Sequence, residues 1–446
     1  MLNLFGVVIA FAIIILLIRE NYKLKVTKEN RYYTILNFYK KYYFGLSLII
    51  GSIIIGIFAL QEIELIDIPK AIIKAIVYDF ETNQIDTGTI ELALLMTVIF
   101  ILAKCMQETG AIKKLIDSLR SIFNKGGTLG VIPAVYGLMP VPGGALFSAP
   151  TIDEEGSKFN LNKNQKNFLN VWFRHIWFPI YPISSAMILI TSAKFANFDI
   201  SLMILANVPA FITSILIGYV YLKKFIKDAP VQKQISKRDY SGLIYLTPPI
   251  LPLFVYGFLQ IFGISQIRSF LIGVLLSIAL VFYITDKTRQ EFFQILKRSI
   301  TFNLALAIFG IMIFREVFQV SQANVVLRDI IVGSHFPIIA MVIIIPLALG
   351  VLTGYNLGSV ALSYPILVPF FPSDISFVML IGFSSLIFIS SVVGYLISPI
   401  HLCNVVSSDY LKTDTTRMYK NYIPAALVML VVQIIFILCV IYFFGL

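Results

Sequence analysis

The stretch "GLMPVPGGALFSAP", residues 137–150, decides how the chain is arranged. It is apolar enough to lie in a membrane, yet two prolines and two glycines, which weaken helices, sit at its centre. The hydrocarbon core of a membrane has no water to satisfy the backbone groups that a broken helix leaves open. Irregular backbone is tolerated there only where it is buried in protein or lines a wet cavity, so the stretch predicts a specialised site inside a larger helical assembly.

The composition predicts a polytopic membrane protein. The chain has 446 residues, of which 58% are hydrophobic and 13% are charged, and its mean hydropathy is +0.87. Apolar runs of about 20 residues, the length that crosses a bilayer, recur along the chain. The first run, Leu2–Ile18, is followed by Arg19, Lys23 and Lys25 instead of a small-residue cleavage site. We therefore expect this run to be retained as the first helix rather than removed as a signal peptide.

The apolar runs predict ten membrane-spanning helices, which lie near residues 2–18, 44–60, 88–106, 171–192, 200–222, 242–263, 268–285, 300–318, 377–408 and 421–443. Two further apolar stretches, 129–151 and 337–370, are interrupted by proline and glycine. We call them the first and the second predicted hairpin.

The positions of lysine and arginine favour hairpins that enter and leave the membrane on the same side. With the N-terminus outside and two such re-entrant hairpins, the predicted cytoplasmic segments hold 28 of the 35 Lys and Arg residues, and the external segments hold five. This bias is what the positive-inside rule expects, and it places the C-terminus outside as well. The external segment 61–87 instead carries six acids. The net charge of +11 therefore reflects topology, with anionic lipid rather than nucleic acid as the neighbouring partner.

The two halves of the chain resemble each other, which predicts an internal repeat. Three pairs of segments align in the same order, at offsets of 212, 215 and 217 residues: "MQETGAIKKLIDSL" (106–119) with "FQVSQANVVLRDII" (318–331), "GGALFSAP" (143–150) with "GSVALSYP" (358–365), and "PISSA" (182–186) with "PIHLC" (399–403). Five crossings in each half are an odd number, so the second half would be inserted upside down. Inverted repeats of this kind are typical of secondary transporters.

We therefore expect an all-α polytopic membrane protein with about ten transmembrane helices and two re-entrant hairpins in an inverted five-helix repeat. The first repeat, 1–222, would contain the first predicted hairpin and a proline-broken helix over 171–192. Residues 223–241 would form a cytoplasmic linker. The second repeat, 242–446, would contain the second predicted hairpin and a proline-broken helix over 377–408.

This arrangement resembles the ion transporter superfamily of secondary carriers, which includes carriers of citrate, gluconate, dicarboxylates, arsenite and sodium. The chain is more closely similar to a prokaryotic branch described as domain of unknown function 401, and "ETGAIKKLIDSL" (108–119) is typical of this group. The resemblance implies transport and names no substrate. Dicarboxylate carriers of the superfamily have a Ser-Asn-Thr tip in both hairpins. Here the second tip offers Thr353, Asn356 and Ser359, whereas the first tip, 140–144, has no side-chain oxygen, so two symmetric sodium sites are not expected.

Half-helices that stop at a tip aim their ends at one point, where N–H groups suit an anion and carbonyl groups suit a cation. The predicted lining of an anion site consists of glycines and short polar residues of the tips and of the segments after the break prolines: Gly143, Gly144, Ser148, Ser184, Ser185, Thr353, Asn356, Ser359, Ser363, His401 and Asn404. Thr353, Asn356 and Asn404 are also candidate ligands of a coupling Na⁺. The alternatives are that the polar side chains satisfy freed backbone groups or allow close helix packing, and that Asn356 serves a left-handed turn.

Several ionisable residues carry two interpretations each. His401 is a candidate proton carrier, because ionisable groups inside membranes are usually functional, and a neutral structural histidine is the equal alternative. Arg174 and His175 lie at the cytoplasmic end of a predicted span, where they would either snorkel to the surface or attract an anion. Arg315 and Glu316 lie late in their span and are expected to be structural.

We expect a secondary active transporter that moves a small anion, an organic carboxylate, across the cytoplasmic membrane in symport with Na⁺ or H⁺. A Na⁺/H⁺ antiporter on the same scaffold is the alternative. Antiporters usually need a carboxylate at mid-depth, and only Glu91, Glu108 and Glu316 touch the predicted spans, each near an end. An intramembrane enzyme is not expected, because the chain has no HExxH, Gly-x-Gly-Asp or Gly-x-Ser-Gly sequence, and ATP-driven transport by this chain alone is not expected, because it has no Walker A sequence. A passive channel stays open.

No cofactor is expected beyond a coupling ion, and the sequence leaves a homodimer open. The three cysteines, Cys105, Cys403 and Cys439, lie far apart without the spacing of a metal site or a disulfide framework. We expect them to be packing residues.

Overall fold

A computed structural model describes residues 2–23, 32–123, 126–139, 144–226, 238–333 and 336–445. Within this part of the chain the protein is helical apart from one short antiparallel pair of strands, β1 (Tyr78–Asp79) and β2 (Gln84–Ile85). The predicted all-α class is therefore confirmed.

The helices of the first half, numbered in chain order, are α1 (Leu2–Lys23), α2 (Tyr33–Phe58), α3 (Asp67–Ile76), α4 (Gly88–Glu108), α5 (Ala111–Ile122), α6 (Gly127–Gly137), α7 (Ala145–Lys158), α8 (Lys163–Arg174), α9 (Ser185–Thr191) and α10 (Ile200–Phe225). The helices of the second half are α11 (Thr247–Gln260), α12 (Gln266–Ile284), α13 (Arg289–Ser299), α14 (Asn303–Val320), α15 (Ala323–Gly333), α16 (Ile338–Thr353), α17 (Asn356–Leu367), α18 (Phe377–Ile397), α19 (Leu402–Leu411) and α20 (Thr415–Phe444). Short 3₁₀ helices cover Ser241–Leu246 and Val368–Phe370.

Nine helical segments among the described residues are long and apolar enough to cross a membrane: Asn3–Asn21, Tyr33–Phe58, Gly88–Glu108, Ile200–Phe225, Ser241–Gln260, Gln266–Ile284, Arg289–Val320, Phe377–Leu411 and Thr416–Phe444. They coincide with nine of the ten predicted spans, and they make the chain a multi-pass membrane protein by length and composition. The tenth predicted span, 171–192, is interrupted in the structure, because α8 ends at Arg174 and α9 begins only at Ser185.

The second proline-broken stretch lies near the centre of the assembly. Of the most apolar window of Phe377–Leu411, 72% is buried inside the protein, against 22% for the window of Thr416–Phe444. The helix of this stretch stops at Ile397, and α19 starts at Leu402 after a short turn. The central helix is therefore divided where the sequence places Pro399.

A buried glutamine bridges the proline kink of α10 and ties it to α20. A proline inside a helix opens the hydrogen-bond ladder of the preceding turn. Here Nε2 of Gln433 donates to the Ala206 carbonyl (2.8 Å), and the Ala210 N–H donates to Oε1 of Gln433 (3.1 Å). In the same turn, Nδ2 of Asn207 donates to the Pro179 carbonyl at 2.9 Å, which fixes the loop between α8 and α9.

The second predicted tip is a sharp break between α16 and α17. Gly354 has φ +60°, a left-handed conformation that glycine adopts without a steric penalty, and it ends α16. The next helix begins two residues later at Asn356 and packs against α16, as α7 packs against α6. Residues 140–143 of the first tip, Gly143 among them, lie outside the described residues. The re-entrant path of both hairpins stays a prediction.

Two pairs of helices connect the two halves. Helix α2 packs against α14, and α12 packs against α4. The joint between α4 and α5 contains Gly110 (φ +81°), and the joint between α14 and α15 contains Gln322 (φ +55°), at the same offset of 212 residues as the first aligned pair. The inverted repeat and the domain limits drawn from it stay predictions.

Candidate functional site

A buried arginine donates hydrogen bonds to the carbonyl groups at the C-terminal end of α6. Arg174, the last residue of α8, is only 4% exposed. Its Nη1 donates to the Tyr136 carbonyl at 2.7 Å and its Nη2 to the Met139 carbonyl at 3.3 Å, while the Tyr181 hydroxyl donates to the Leu138 carbonyl at 2.5 Å. The last carbonyls of a helix lack partners within it, so these side chains complete the end of α6. The guanidinium lies inside the protein, and the expectation that Arg174 snorkels to the surface is wrong.

A cavity of about 100 Å³ opens at this guanidinium. We call it the basic cavity, and its described lining is Gln107, Ile112, Lys113, Tyr136, Met139, Gly144, Phe147 and Arg174. This lining contains two cations and one amide and no acid. Helix α7 begins at Ala145, directly after the Gly144 that lines the cavity, so its unpaired N–H groups add to the positive potential. The arrangement is suited to a small anion.

Gly144 brings the backbone of the first tip against Arg174. A Cβ at this position would overlap Nη2 of the guanidinium. A close approach of this kind needs a residue without a side chain. Gly144 is therefore a predicted site residue that the structure places at the basic cavity.

Behind the tip, the polar side chains form a buried chain across α7, α8 and α19. The Ser148 hydroxyl donates to Oδ1 of Asn170 at 2.5 Å. Nδ2 of Asn170 donates to the Ala145 carbonyl at 2.9 Å and to the Ser407 hydroxyl at 2.8 Å. Ser148 is fully buried and engaged in this chain, so it supports the tip rather than lining the basic cavity.

Most polar residues of the second tip bond the protein itself. The Thr353 hydroxyl donates to the Leu349 carbonyl at 2.7 Å, and the Ser363 hydroxyl donates to the Ser359 carbonyl at 2.6 Å. The Ser359 hydroxyl donates to the Pro346 carbonyl at 2.6 Å and lies 2.8 Å from the hydroxyl of Ser391 on α18. These side chains hold the tip together.

Asn356 differs from the other second-tip residues, because its buried Oδ1 has no hydrogen-bond partner among the described residues. Asn404, the third candidate Na⁺ ligand, donates to the Tyr419 hydroxyl at 3.0 Å and accepts from the Ser408 hydroxyl at 3.4 Å. Thr353 and Asn404 thus form hydrogen bonds with different neighbours. Of the three candidate Na⁺ ligands, Asn356 is the one whose side-chain oxygen has no partner among the described residues.

The predicted site residues that follow the prolines of the two broken helices have different environments. Ser184 caps α9 by accepting from the Met187 N–H at 3.3 Å, and Ser185 is the first residue of that helix. His401 is completely buried at the break between α18 and α19. Its ring centroid lies 4.0 Å from that of Tyr395 and 4.8 Å from that of His175, so the two breaks meet at the histidines.

Sequence reasoning did not name Arg174, Lys113, Gln107 or Asn170 as site residues. For Arg174 a signal was present, since it and Arg315 were the two basic residues left outside both the cytoplasmic and the external groups. Lys113 was counted as an ordinary cytoplasmic charge. For Asn170, nothing in its sequence neighbourhood distinguishes it from a surface residue.

The broken helices, the buried arginine and the basic cavity, set among nine candidate spans, define a multi-pass α-helical membrane protein with an internal polar site. The chain belongs to the family "Protein of unknown function (DUF401)", whose model matches residues 33–441. No curated protein matches the chain.

Proposed function

We propose that the protein is a secondary active transporter that carries a small anion, an organic carboxylate, across the cytoplasmic membrane in symport with Na⁺ or H⁺. The multi-pass helical architecture and the family fit a transporter in general. The resemblance to the ion transporter superfamily, the predicted repeat and the broken helices support the finer proposal.

The observation that carries the choice of an anion is the basic cavity. Arg174 and Lys113 supply two positive charges, Gln107 supplies an amide, and the described lining contains no acid. Arginine forms paired hydrogen bonds with a carboxylate, and lysine adds a point charge. Under the predicted topology the basic cavity faces the cytoplasm, because Gln107 and Lys113 belong to a predicted cytoplasmic segment.

A second, larger cavity of about 770 Å³ supports a path with two openings. Its lining comes from 79–91, 191–199 and 260–268, which lie in or directly beside the segments that the predicted topology places outside. Alternating access opens a central site to the two faces in turn, and cavities at opposite predicted faces are compatible with such a path.

The carboxylates that touch the predicted spans do not support the antiporter alternative. Glu91 forms an ion pair with Arg268 at 2.8 Å, and Glu316 lies 3.3 Å from Nη1 of Arg315. The expectation that Arg315 and Glu316 are structural agrees with this pair. Glu108 is exposed at the end of its helix.

The test is uptake into proteoliposomes of radiolabelled mono-, di- and tricarboxylates, under imposed Na⁺ and H⁺ gradients. Lys113→Gln should raise KM for the transported anion about tenfold, because one charge-assisted contact is lost. Lys113 is exposed, so the variant should fold normally. Lys158→Gln is the matched control. Lys158 forms an ion pair with Glu155 (2.8 Å) and does not belong to the described lining of the basic cavity. Absence of gradient-driven uptake for every carboxylate would overturn the proposal.

A further inference from the structure

Three potential metal ligands meet where the two helix breaks approach each other. His175, His401 and Cys403 are all buried, and their ligand atoms lie within 4.8 Å of one another. His175 directly follows α8 in the first half, whereas His401 directly precedes α19 and Cys403 is the second residue of α19 in the second half. The cluster therefore contains residues of both halves. A sequence motif does not reveal it, because His175 is far from His401 and Cys403 in the sequence.

His401 points to a missing ligand. The residue is 0% exposed, and neither Nδ1 nor Nε2 has a hydrogen-bond partner among the described residues. Buried polar atoms without partners are costly, and native proteins rarely keep them without a reason. A metal ion bound to one ring nitrogen would satisfy that nitrogen and lower the cost.

His175 is oriented as metal-binding histidines usually are. Its Nδ1 lies 2.6 Å from the Val171 carbonyl, so Nδ1 carries the proton and donates. The lone pair is then on Nε2, which lies 3.4 Å from the Tyr395 hydroxyl. A backbone carbonyl on the far nitrogen fixes the tautomer and the ring plane, which prepares the other nitrogen as a ligand.

The donor set selects the class of ion. Two imidazole nitrogens and one thiolate suit Zn²⁺ and related transition metals, and they suit neither Na⁺ nor Mg²⁺. Tetrahedral Zn²⁺ with bond lengths of about 2.0–2.3 Å needs ligand atoms roughly 3.3–3.7 Å apart, so the cluster has to contract by about one ångström. Within the described residues the group stops at three ligands, as in zinc sites that keep an open position.

We propose that His175, His401 and Cys403 form a binding site for a Zn²⁺-class transition metal ion, with the fourth position open to water or to a carboxylate. Binding of the metal releases the Cys403 thiol proton to solvent and involves no change of oxidation state. The proposal does not depend on the proposed transport of an anion, since metal binding is measurable without transport.

The experiment uses the full chain, purified in detergent, stripped of metal with a chelator and titrated with Co²⁺ as a spectroscopic probe. We expect about one Co²⁺ per chain and a thiolate-to-Co²⁺ charge-transfer band that Zn²⁺ abolishes by competition. His401→Ala should weaken binding at least tenfold, and Cys403→Ser should remove the band. Cys105→Ser is the matched control, because Cys105 is equally buried but lies outside the cluster. A band that survives in Cys403→Ser, or no band in the unmodified chain, would overturn the site.

A second measurement tests the site without changing its ligands, in case His401→Ala or Cys403→Ser fails to fold. In a chain carrying Cys105→Ser and Cys439→Ser, Cys403 is the single thiol. Zn²⁺ should slow its alkylation by a small maleimide at least tenfold, and excess chelator should restore the rate. An alkylation rate that Zn²⁺ leaves unchanged contradicts the proposal.

Discussion

The two predicted tips carry opposite chemistry at corresponding positions. Under the predicted repeat, with its offsets of 215 and 217 residues, Gly144 and Arg174 of the first half would correspond to Ser359 and Ser391 of the second half. In the first tip, the missing side chain of Gly144 makes room for a guanidinium beside the basic cavity. In the second tip, the two serine hydroxyls lie 2.8 Å apart and both residues are fully buried.

In the predicted repeat, corresponding positions of the two halves would therefore have different tasks. Gly144 and Arg174 bring a positive charge to the basic cavity, whereas Ser359 and Ser391 form an uncharged contact between α17 and α18. A charge at both places would require two buried cations to be compensated, which is costly in a low-dielectric interior. Among the described residues, Oδ1 of Asn356 in the second tip has no hydrogen-bond partner, and such an acceptor suits a cation better than an anion.

The largest effect is expected for Arg174→Ser, which gives the first tip the residue type of the second. The anion loses its guanidinium partner, and affinity should fall about 100-fold, since charge-assisted hydrogen bonds contribute about 1.5–3 kcal/mol each. The Tyr136 and Met139 carbonyls also lose their donor, so the midpoint of thermal unfolding in detergent should drop. KM for uptake and the unfolding midpoint are the two measurements.

The matched control is Arg315→Ser, because Arg315 is a second span arginine that pairs with Glu316. This variant should lower the unfolding midpoint without changing KM. An unchanged KM in Arg174→Ser would remove the basic cavity from the transport path.

Asn356→Ala should have the next largest effect, about ten- to thirtyfold, on the dependence of uptake on the coupling ion. The substitution removes the one acceptor of the second tip that the described residues leave unpaired, and it sharpens the contrast between an anion tip and a cation tip. Uptake is measured as a function of Na⁺ concentration and of pH. Ser363→Ala serves as the control, since its hydroxyl bonds a carbonyl of its own helix. Identical ion dependence in Asn356→Ala and the unmodified protein would disprove the cation role.

Gly144→Ala tests the close approach at the first tip. The added Cβ overlaps Nη2, so the guanidinium has to shift, and overpacking usually costs about 1–3 kcal/mol. Because a long side chain yields more easily than backbone, we expect the lower end of that range, or about a tenfold rise in KM. Gly257→Ala is the control, since nothing lies within 4 Å of a Cβ at that helical position. Equal KM values for the two variants would mean that the tip does not hold Arg174 in place.

Much of the fold followed from apolar length and from proline. Nine of the ten predicted spans coincide with helices long enough to cross a membrane, and the tenth is broken between Arg174 and Ser185 in the region of its prolines. Apolar length is a local property, and so it can be read from sequence. The second break was located for the same reason, since Gly354 and Asn356 mark it, whereas residues 140–143 of the first tip lie outside the described residues.

The candidate site followed from the sequence only in part. Gly144 lies at the basic cavity, but Ser148 and Ser359 are engaged in buried hydrogen bonds that depend on α8 and α18. The burial of Arg174 depends on the end of α6 meeting the end of α8, and the contact of His401 with His175 joins the two halves. Such contacts are tertiary, and no local pattern encodes them.

The smallest effect is expected for Ser391→Ala, which removes one hydroxyl from the second tip. The Ser359 hydroxyl keeps its 2.6 Å contact with the Pro346 carbonyl, so no buried donor is orphaned. A single neutral hydrogen bond contributes about 1 kcal/mol, and we expect a loss of stability of this size in denaturant unfolding. KM should stay unchanged, because this pair packs α17 against α18 and adds no charge. If Ser391→Ala instead raised KM as strongly as Gly144→Ala, the corresponding positions of both tips would contact the substrate, and the division of tasks between the two tips would be wrong.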